Sequence, residues 1–231
     1  MKKKIPHVIY EDNHLMVINK PALLPTMGVV EGQRSLVSLV KSYLKVKYRK
    51  PGNVYVGVVS RLDSFVSGIV VFARTSKAAA RLSRQFAESS VTKKYLAIVQ
   101  GHLAENNGTL RHWLVKDENK HRMIAVNADQ ARRLNARCAV LHFRKRGFSQ
   151  GNCLLEIVPQ TGRKHQIRVQ LASEGCSIVG DRKYGNNEPF PRGIALHSQS
   201  LTLAHPTERR EMSFLAEPPG YWELWRFQEP S

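Results

Sequence analysis

The sequence predicts an α+β fold in which strands outnumber helices, and three observations support it. Short, β-branched apolar runs of strand length are more numerous than segments of helical periodicity. Pro and Gly mark turns singly, as in Pro51-Gly52, and no repeat, low-complexity tract or long linker divides the chain. The 231 residues suffice for one large domain or two small ones. Because no linker is visible, we expect residues 1–231 to form a single compact domain.

Five segments read as strands because they are apolar, β-branched and of strand length. They are residues 54–59, 68–72, 95–100, 136–143 and 152–158. The short loop 60–64 separates the first two segments, and we expect the polar stretch 144–151 to be a loop between the last two. In the third segment, side chains alternate between the two faces, as they do in any strand.

Two segments read as helices. Thr75 or Ser76 can cap a helix that runs to about Glu88, and its core-facing residues would be Ala78, Leu82 and Phe86. Thr161 can cap a second helix that ends at Gly175. Its buried stripe would be Ile167 and Leu171, and its polar, cationic face would carry Arg163, Gln166 and Gln170.

The charge balance favours a polyanionic partner. Lys and Arg number 36 against 18 Asp and Glu, which gives a formal net charge of +18 and a pI near 10.2. Such an excess attracts nucleic acid, although a protein can also be basic without binding any. The basic stripe of the first predicted helix comprises Lys77, Arg81 and Arg84. Three further basic clusters are Lys45, Lys47, Arg49 and Lys50; Arg132, Arg133 and Arg137; and Arg144, Lys145 and Arg146.

Several classes of protein are disfavoured. No stretch approaches the roughly 20 apolar residues of a membrane span, and the basic start, residues 1–6, lacks the apolar core of a signal peptide. Cys138, Cys153 and Cys176 lie far apart and form no CxxC pair, which fits reduced thiols in the cytoplasm. The nine histidines form no HExxH pattern, so we expect no metal site.

Asp63 is the first candidate for chemistry. It lies in the loop between two apolar strands, two residues after Arg61. A carboxylate held there on a rigid sheet could serve as nucleophile or general base. The alternative is an ordinary turn aspartate that bonds nearby backbone groups.

Residues 61–75, RLDSFVSGIVVFART, decide between these interpretations. This segment resembles the catalytic motif of the RluA-like RNA pseudouridine synthases, which reads roughly HRLDxxTSGLLLxAKT. Other blocks of that family match in the same order, at residues 10–12 with 17–21, 94–101, 160–168 with 180–185, and 195–198 with 201–206. The resemblance covers roughly residues 7–216. It implies a mixed, mostly antiparallel sheet with flanking helices and a basic central cleft.

The resemblance also implies a catalytic set. Asp63 would be the nucleophile, Tyr95 would pack against the flipped uracil, and Arg163 would pair with Asp63. The reaction is an isomerisation, so no cofactor is implied. Further candidates for RNA binding are Arg61, Lys77, Arg81, Arg84, Lys94, His165 and Arg168. For His165 and Arg168 a structural role is equally open, with Arg168 anchoring its helix to a neighbouring loop.

Two residues depart from the family pattern: Ser60 replaces the usual His, and Val66 replaces the usual Thr. Many relatives carry an N-terminal S4 RNA-binding domain, for which this sequence leaves no room. We therefore expect a stand-alone, cytoplasmic and monomeric enzyme without an obligate protein partner, acting on tRNA or rRNA. The alternative is a non-catalytic RNA-binding or ribosome-assembly protein with the same fold.

Overall fold

The structure is a computed structural model that describes residues 5–30, 33–225 and 227–228. Most of the basic start, residues 1–4, therefore lies outside the described residues. The chain divides into two compact units. Unit 1 comprises Met1–Lys93 and Ser198–Pro218, and unit 2 comprises Lys94–His197 and Pro219–Ser231.

The first half of the chain contributes, in order, β1 (Val8–Glu11), β2 (Leu15–Lys20), α1 (Leu36–Lys47), β3 (Gly57–Val58), β4 (Ser67–Ala73), α2 (Ser76–Ala87), β5 (Thr92–Gln100) and β6 (Asn107–Asp117). The second half contributes β7 (Arg122–Val126), α3 (Ala128–Arg133), β8 (Arg137–Ser149), β9 (Asn152–Pro159), α4 (Gln166–Ser173), β10 (Leu196–Ala204) and β11 (Glu211–Leu215). Short 3₁₀ helices lie at Arg182–Tyr184 and Gly220–Trp225. The predicted fold class, α+β with a mixed, mostly antiparallel sheet and flanking helices, is confirmed.

In unit 1 the strand order is β1-β2-β4-β10, with β3 paired to β4 and β11 paired to β10. Strand β4 is buried along its whole length because helices cover both of its faces. Ile69 and Val71 pack in one core with Leu82 of α2, whereas Val70 and Phe72 pack in another with α1. A strand buried on both faces reads as a continuous apolar run, which is why residues 68–72 were recognisable in the sequence.

In unit 2 the strand order is β5-β9-β8-β6-β7, and all neighbours are antiparallel. Helix α4 covers one face of this sheet, where Val169 and Tyr184 pack against Leu114 and Ala139. The opposite face is largely exposed along β6 and β8. Antiparallel sheets often bury one face and leave the other in water.

Helix α2 and the strands at 68–72, 95–100 and 152–158 confirm the predictions closely. The Oγ1 of Thr75 accepts the Ala78 N–H at 3.1 Å, so Thr75 is the predicted N-cap. Ala78 and Leu82 are buried, and the helix ends at Ala87. The predicted strand at 54–59 is shorter than expected, since only Gly57–Val58 pairs with β4.

The predicted loop 144–151 is wrong. Strand β8 continues to Ser149, and a turn of two residues, Gln150 and Gly151, joins it to β9. Both turn residues have positive φ, as tight hairpin turns require. The basic cluster in this stretch is divided by strand alternation, because Arg144 and Arg146 are exposed while Lys145 is buried.

The predicted cap and polar face of the second helix are also wrong. Helix α4 begins at Gln166, and its N-cap His165 has a left-handed backbone and no side-chain cap bond. The six residues from Gln166 to Leu171 are all buried. Arg163 precedes the helix instead of lying in its first turn. Polar residues such as Gln170 misled the amphipathic interpretation, because their amides are buried against backbone groups of β6 and β8.

Gly68 should be the most sensitive glycine of unit 1. Its φ is +111°, and a Cβ there would lie 2.6 Å from the amide nitrogen of Ser198 and still closer to its carbonyl oxygen. We expect Gly68→Ala to lower the free energy of unfolding by at least about 2 kcal/mol, measured by urea denaturation. Gly52→Ala is the control, because nothing lies within 4 Å of that position. Equal stability of the two variants would contradict this packing.

Candidate active site

The Asp63 loop belongs to unit 1 and is bonded at both ends. On one side Ser60 Oγ accepts the Val71 N–H at 2.9 Å. On the other, Thr26 Oγ1 donates to the Leu62 carbonyl at 2.8 Å. The loop closes when the Val66 N–H donates to the carbonyl of Asp63 at 3.1 Å. Asp63 itself is half-buried, so its carboxylate is held on a fixed backbone at the start of β4.

The departure at Ser60 therefore has a structural role. Its hydroxyl binds the backbone of Val71 at the edge of β4, where β3 no longer pairs. Val66, the second departure, is 2% exposed and lies in the core. Both departures leave the three candidate catalytic residues, Asp63, Tyr95 and Arg163, in place.

Lys20 is a functional candidate that the sequence interpretation missed. Its side chain is fully buried, and its Nζ donates to the carbonyls of Pro21 at 3.0 Å, Leu24 at 2.9 Å and Ser64 at 3.3 Å. The last of these acceptors is the residue after Asp63. Lys20 lies in the matched block 17–21, but that segment gives no sign in the sequence that its amine reaches the Asp63 loop.

Burial controls the charge of Lys20. It lowers the pKa of the amine to about 7, although the negative charge of Asp63 acts in the opposite direction. Strand pairing explains the burial, since Lys20 is the last residue of β2 and lies opposite Gly68 of β4. A lysine with a pKa this far below 10.5, beside a candidate nucleophile, is typical of a functional site.

Tyr95 lies in unit 2, near the beginning of β5. It pairs with Ile157 of β9, and the alternation along β5 puts it on the same face as Ala97 and Val99. Those two neighbours are fully buried, whereas Tyr95 is partly exposed. The Tyr95 ring therefore lies at the border of the buried core, next to the fully buried part of β5.

Arg163 also lies in unit 2, in the loop before α4, and it is exposed. Its Nε donates to the Cys138 carbonyl at 3.1 Å. The buried amide of Gln166 fixes the loop: its Oε1 accepts the Arg163 N–H at 3.0 Å and the Thr161 hydroxyl at 2.7 Å, and its Nε2 donates to the Val140 carbonyl. Thr161, which was expected to cap the helix, instead helps to join this loop to β8 through the amide of Gln166.

His165 and Arg168 have structural partners in the same unit. Arg168 is 4% exposed, forms two hydrogen bonds with the carboxylate of Asp181 and lies 5.0 Å from the ring centre of Tyr184. The Nδ1 of His165 and the Tyr184 hydroxyl are 2.7 Å apart. This burial fits the anchoring role that the sequence left open for Arg168, and RNA binding by His165 and Arg168 stays a prediction.

The other RNA-binding candidates divide between the units. Arg61, Lys77, Arg81 and Arg84 are exposed in unit 1, and Arg81 also donates to the carbonyl of Pro206 at 2.8 Å. Lys94 is half-buried on β5 in unit 2. Across the part of the chain that the structure describes, no three metal-ligating side chains cluster, and no helix is long and apolar enough to cross a membrane.

Comparison with solved structures identifies the fold. The structure resembles human RNA pseudouridylate synthase domain containing 4, with a TM-score of 0.79 at 23% identity, covering 97% of this chain and 94% of the other. Human RNA pseudouridylate synthase domain containing 1 gives a TM-score of 0.73 at 24% identity, covering 95% and 86%. At these identities the likeness establishes the fold alone, which is that of pseudouridine synthases.

Sequence comparison then establishes the family. The sequence model of RNA pseudouridylate synthase matches residues 14–173. Ribosomal large subunit pseudouridine synthase C of Rickettsia prowazekii is 33% identical over 228 residues, covering 96% of this chain and 72% of that protein. Ribosomal large subunit pseudouridine synthase D of Zymomonas mobilis is 32% identical over 230 residues, covering 94% and 70%. The chain belongs to the RluA-type RNA pseudouridylate synthase family, and it is an isomerase that acts on RNA.

The buried amine of Lys20 should make stability depend on pH. Between about pH 7 and pH 10.5 the unfolded chain keeps this proton while the folded chain has lost it, so the free energy of unfolding rises with pH. Urea denaturation at several pH values should show this rise in the wild type and its absence in Lys20→Met. Lys41→Met removes an exposed amine of α1 and is the control. Parallel pH profiles for the wild type and Lys20→Met would exclude a titrating amine at Lys20.

Proposed function

We propose that this enzyme isomerises selected uridines of large-subunit ribosomal RNA to pseudouridine, with Asp63 as the nucleophile. The observation that carries the proposal is the position of Asp63. It lies in the matched catalytic motif, on a loop fixed by Ser60 and Thr26, with the buried amine of Lys20 bonded to the next residue. The ribosomal substrate is supported by similarity to the Rickettsia and Zymomonas enzymes, whose names specify the large ribosomal subunit.

The chemistry explains the need for a held carboxylate. The bond between ribose C1′ and uracil N1 breaks, the uracil rotates, and a bond from C1′ to C5 forms. The C5 proton leaves to solvent and N1 acquires one, so the composition of the RNA is unchanged. A base cannot rotate within a stack, so it must first be extruded into the enzyme. Asp63 would attack the extruded nucleotide and hold one fragment while the other turns.

Tyr95 and Arg163 complete the proposed set. The partly exposed ring of Tyr95 would stack on the uracil, since an aromatic face holds any base without hydrogen bonds. The exposed guanidinium of Arg163 would pair with the carboxylate of Asp63. Both residues are held within unit 2: Tyr95 by its pairing with Ile157 of β9, and Arg163 by the Gln166 amide and the Cys138 carbonyl.

The test of the nucleophile is release of tritium from C5-labelled uracil in unmodified ribosomal RNA. We expect Asp63→Asn to abolish release while folding and RNA binding persist, because the two side chains are nearly isosteric. Asp129→Asn makes the same change on the exposed surface of α3 and is the matched control. Release by Asp63→Asn at the wild-type rate would refute the assignment. Unmodified transfer RNA, tested in parallel, identifies the substrate class.

Arg163 can be tested separately from stability. Because its side chain is exposed, Arg163→Ala should change the free energy of unfolding by less than about 1 kcal/mol. The same variant should lose most of its tritium release if Arg163 pairs with Asp63. Arg163→Lys keeps the charge but not the forked geometry and should recover only part of the rate. A full rate in Arg163→Ala would remove Arg163 from the proposed set.

A further inference from the structure

The exposed face of the unit 2 sheet, opposite α4, carries an organised set of side chains. We call it the outer face. Register defines it: across β6 and β8, Thr109 pairs with His142, Asn107 with Arg144, Arg111 with Val140 and Trp113 with Cys138. Residues directly opposite in an antiparallel pair share a face. The α4 side is separate, since its core contains Leu114 and Ala139, which have the other parity.

The outer face is cationic. Arg111, His142, Arg144 and Arg146 are exposed on it. Lys94 belongs to the same face, because β5 alternates and Leu96 pairs with Glu156, which in turn pairs with Arg144. Outward residues recur at roughly 7 Å along a strand, and neighbouring strands lie about 4.8 Å apart. The cations therefore form a regular array instead of a single cluster.

Few carboxylates neutralise this array. Glu156 lies on the outer face and is paired with Arg146. Asp117 lies at the end of β6, where its Oδ1 accepts the Lys120 N–H at 3.0 Å. Among the described residues no carboxylate forms an ion pair with Arg111 or Arg144, and the Nη1 of Arg111 is 3.7 Å from the Cys138 sulfur. Two guanidinium groups thus remain available to an anionic partner.

An aromatic side chain completes the face. Trp113 is 38% exposed, although tryptophan usually buries most of its surface. It stands two residues from Arg111 on β6 and is paired with Val126 on its other side. Cations that contact phosphates next to an aromatic ring that stacks on bases are the combination that binds single-stranded RNA.

We propose that the outer face is an RNA-binding surface, which holds an unpaired stretch of the substrate through phosphate contacts to Arg111, Arg144 and Lys94 and base stacking on Trp113. This inference rests on the proposed function in one respect, namely that the substrate is a long RNA. Of its residues, Lys94 was an RNA-binding candidate and Arg144 belonged to a basic cluster named from the sequence, whereas Arg111 and Trp113 were not singled out there. RNA is favoured over a protein partner because, among the described residues, the face has exposed cations in excess and a single exposed large apolar side chain, Trp113.

The charge contacts are tested with the double variant Arg111→Glu/Arg144→Glu. Binding to a fluorescent single-stranded RNA should weaken by about tenfold or more, and the slope of log K against log salt should fall by about 1.4, the value for two phosphate contacts. The control is Lys116→Glu/Lys120→Glu, which makes the same charge change at and beyond the end of β6. Equal losses in the two double variants would show a general field effect and overturn the proposal.

The stacking contact is tested with Trp113→Leu and Trp113→Phe. Trp113→Leu should weaken binding several-fold without changing the salt slope, and Trp113→Phe should restore most of the affinity. Loss in both, or in neither, would contradict stacking at this position. A thermal unfolding curve for each variant confirms that the fold is intact.

The two proposals fail in distinguishable ways, because binding is measured without turnover. Suppose that the wild type releases no tritium, but the outer-face variants bind RNA more weakly than the wild type. The ribosomal substrate and the Asp63 chemistry would then be refuted, whereas the proposed RNA surface would be supported. If tritium release depended on Asp63 and the outer-face variants bound RNA like the wild type, the RNA surface alone would be refuted.

Discussion

In unit 1 the position of the Asp63 loop depends on the buried amine of Lys20. Lys20 is the last residue of β2, and its amine donates to three backbone carbonyls. Two of them, Pro21 and Leu24, belong to the turn after β2, and the third, Ser64, follows Asp63. A buried amine is costly unless its hydrogen bonds are satisfied, so its presence fixes the positions of all three acceptors. The loop that presents Asp63 is therefore tied to the strand that pairs with β4, and Gly68 permits the close approach of Ser198 next to it.

In unit 2 a side-chain amide, instead of a buried amine, fixes the loop that carries a candidate catalytic residue. The loop with Arg163 is held by the amide of Gln166, which satisfies two donors and one carbonyl at once. Behind it, the Arg168–Asp181 pair is buried with Tyr184 stacked on the guanidinium. Removing one partner of such a pair would leave an unpaired charge in the core. The polar side chains of α4 can lie in the interior because their partners are buried with them.

The sequence and the structure agree most closely where local signals are strong. Thr75 caps α2 as its side chain and spacing predict, and the apolar run of β4 is a strand buried on both faces. They disagree at β8, where consecutive polar and cationic residues resembled a loop, and at α4, where glutamines resembled a solvent-exposed face. At α4 the deciding contacts come from β6 and β8, which are distant in sequence. Strand β8 instead extends by pairing with β9 across its own two-residue turn. Side-chain periodicity reports neither kind of contact.

The sequence by itself determined the family, the candidate nucleophile and the cationic character, because ordered motifs and composition need no coordinates. Only the tertiary structure decided which polar residues are buried. It showed Lys20 beneath the Asp63 loop and Arg168 in the core, and it assigned Arg144 and Lys145 to opposite faces of one strand. The reason is physical: the environment of a charged side chain is set by the strands and helices packed around it, and these come from distant parts of the chain.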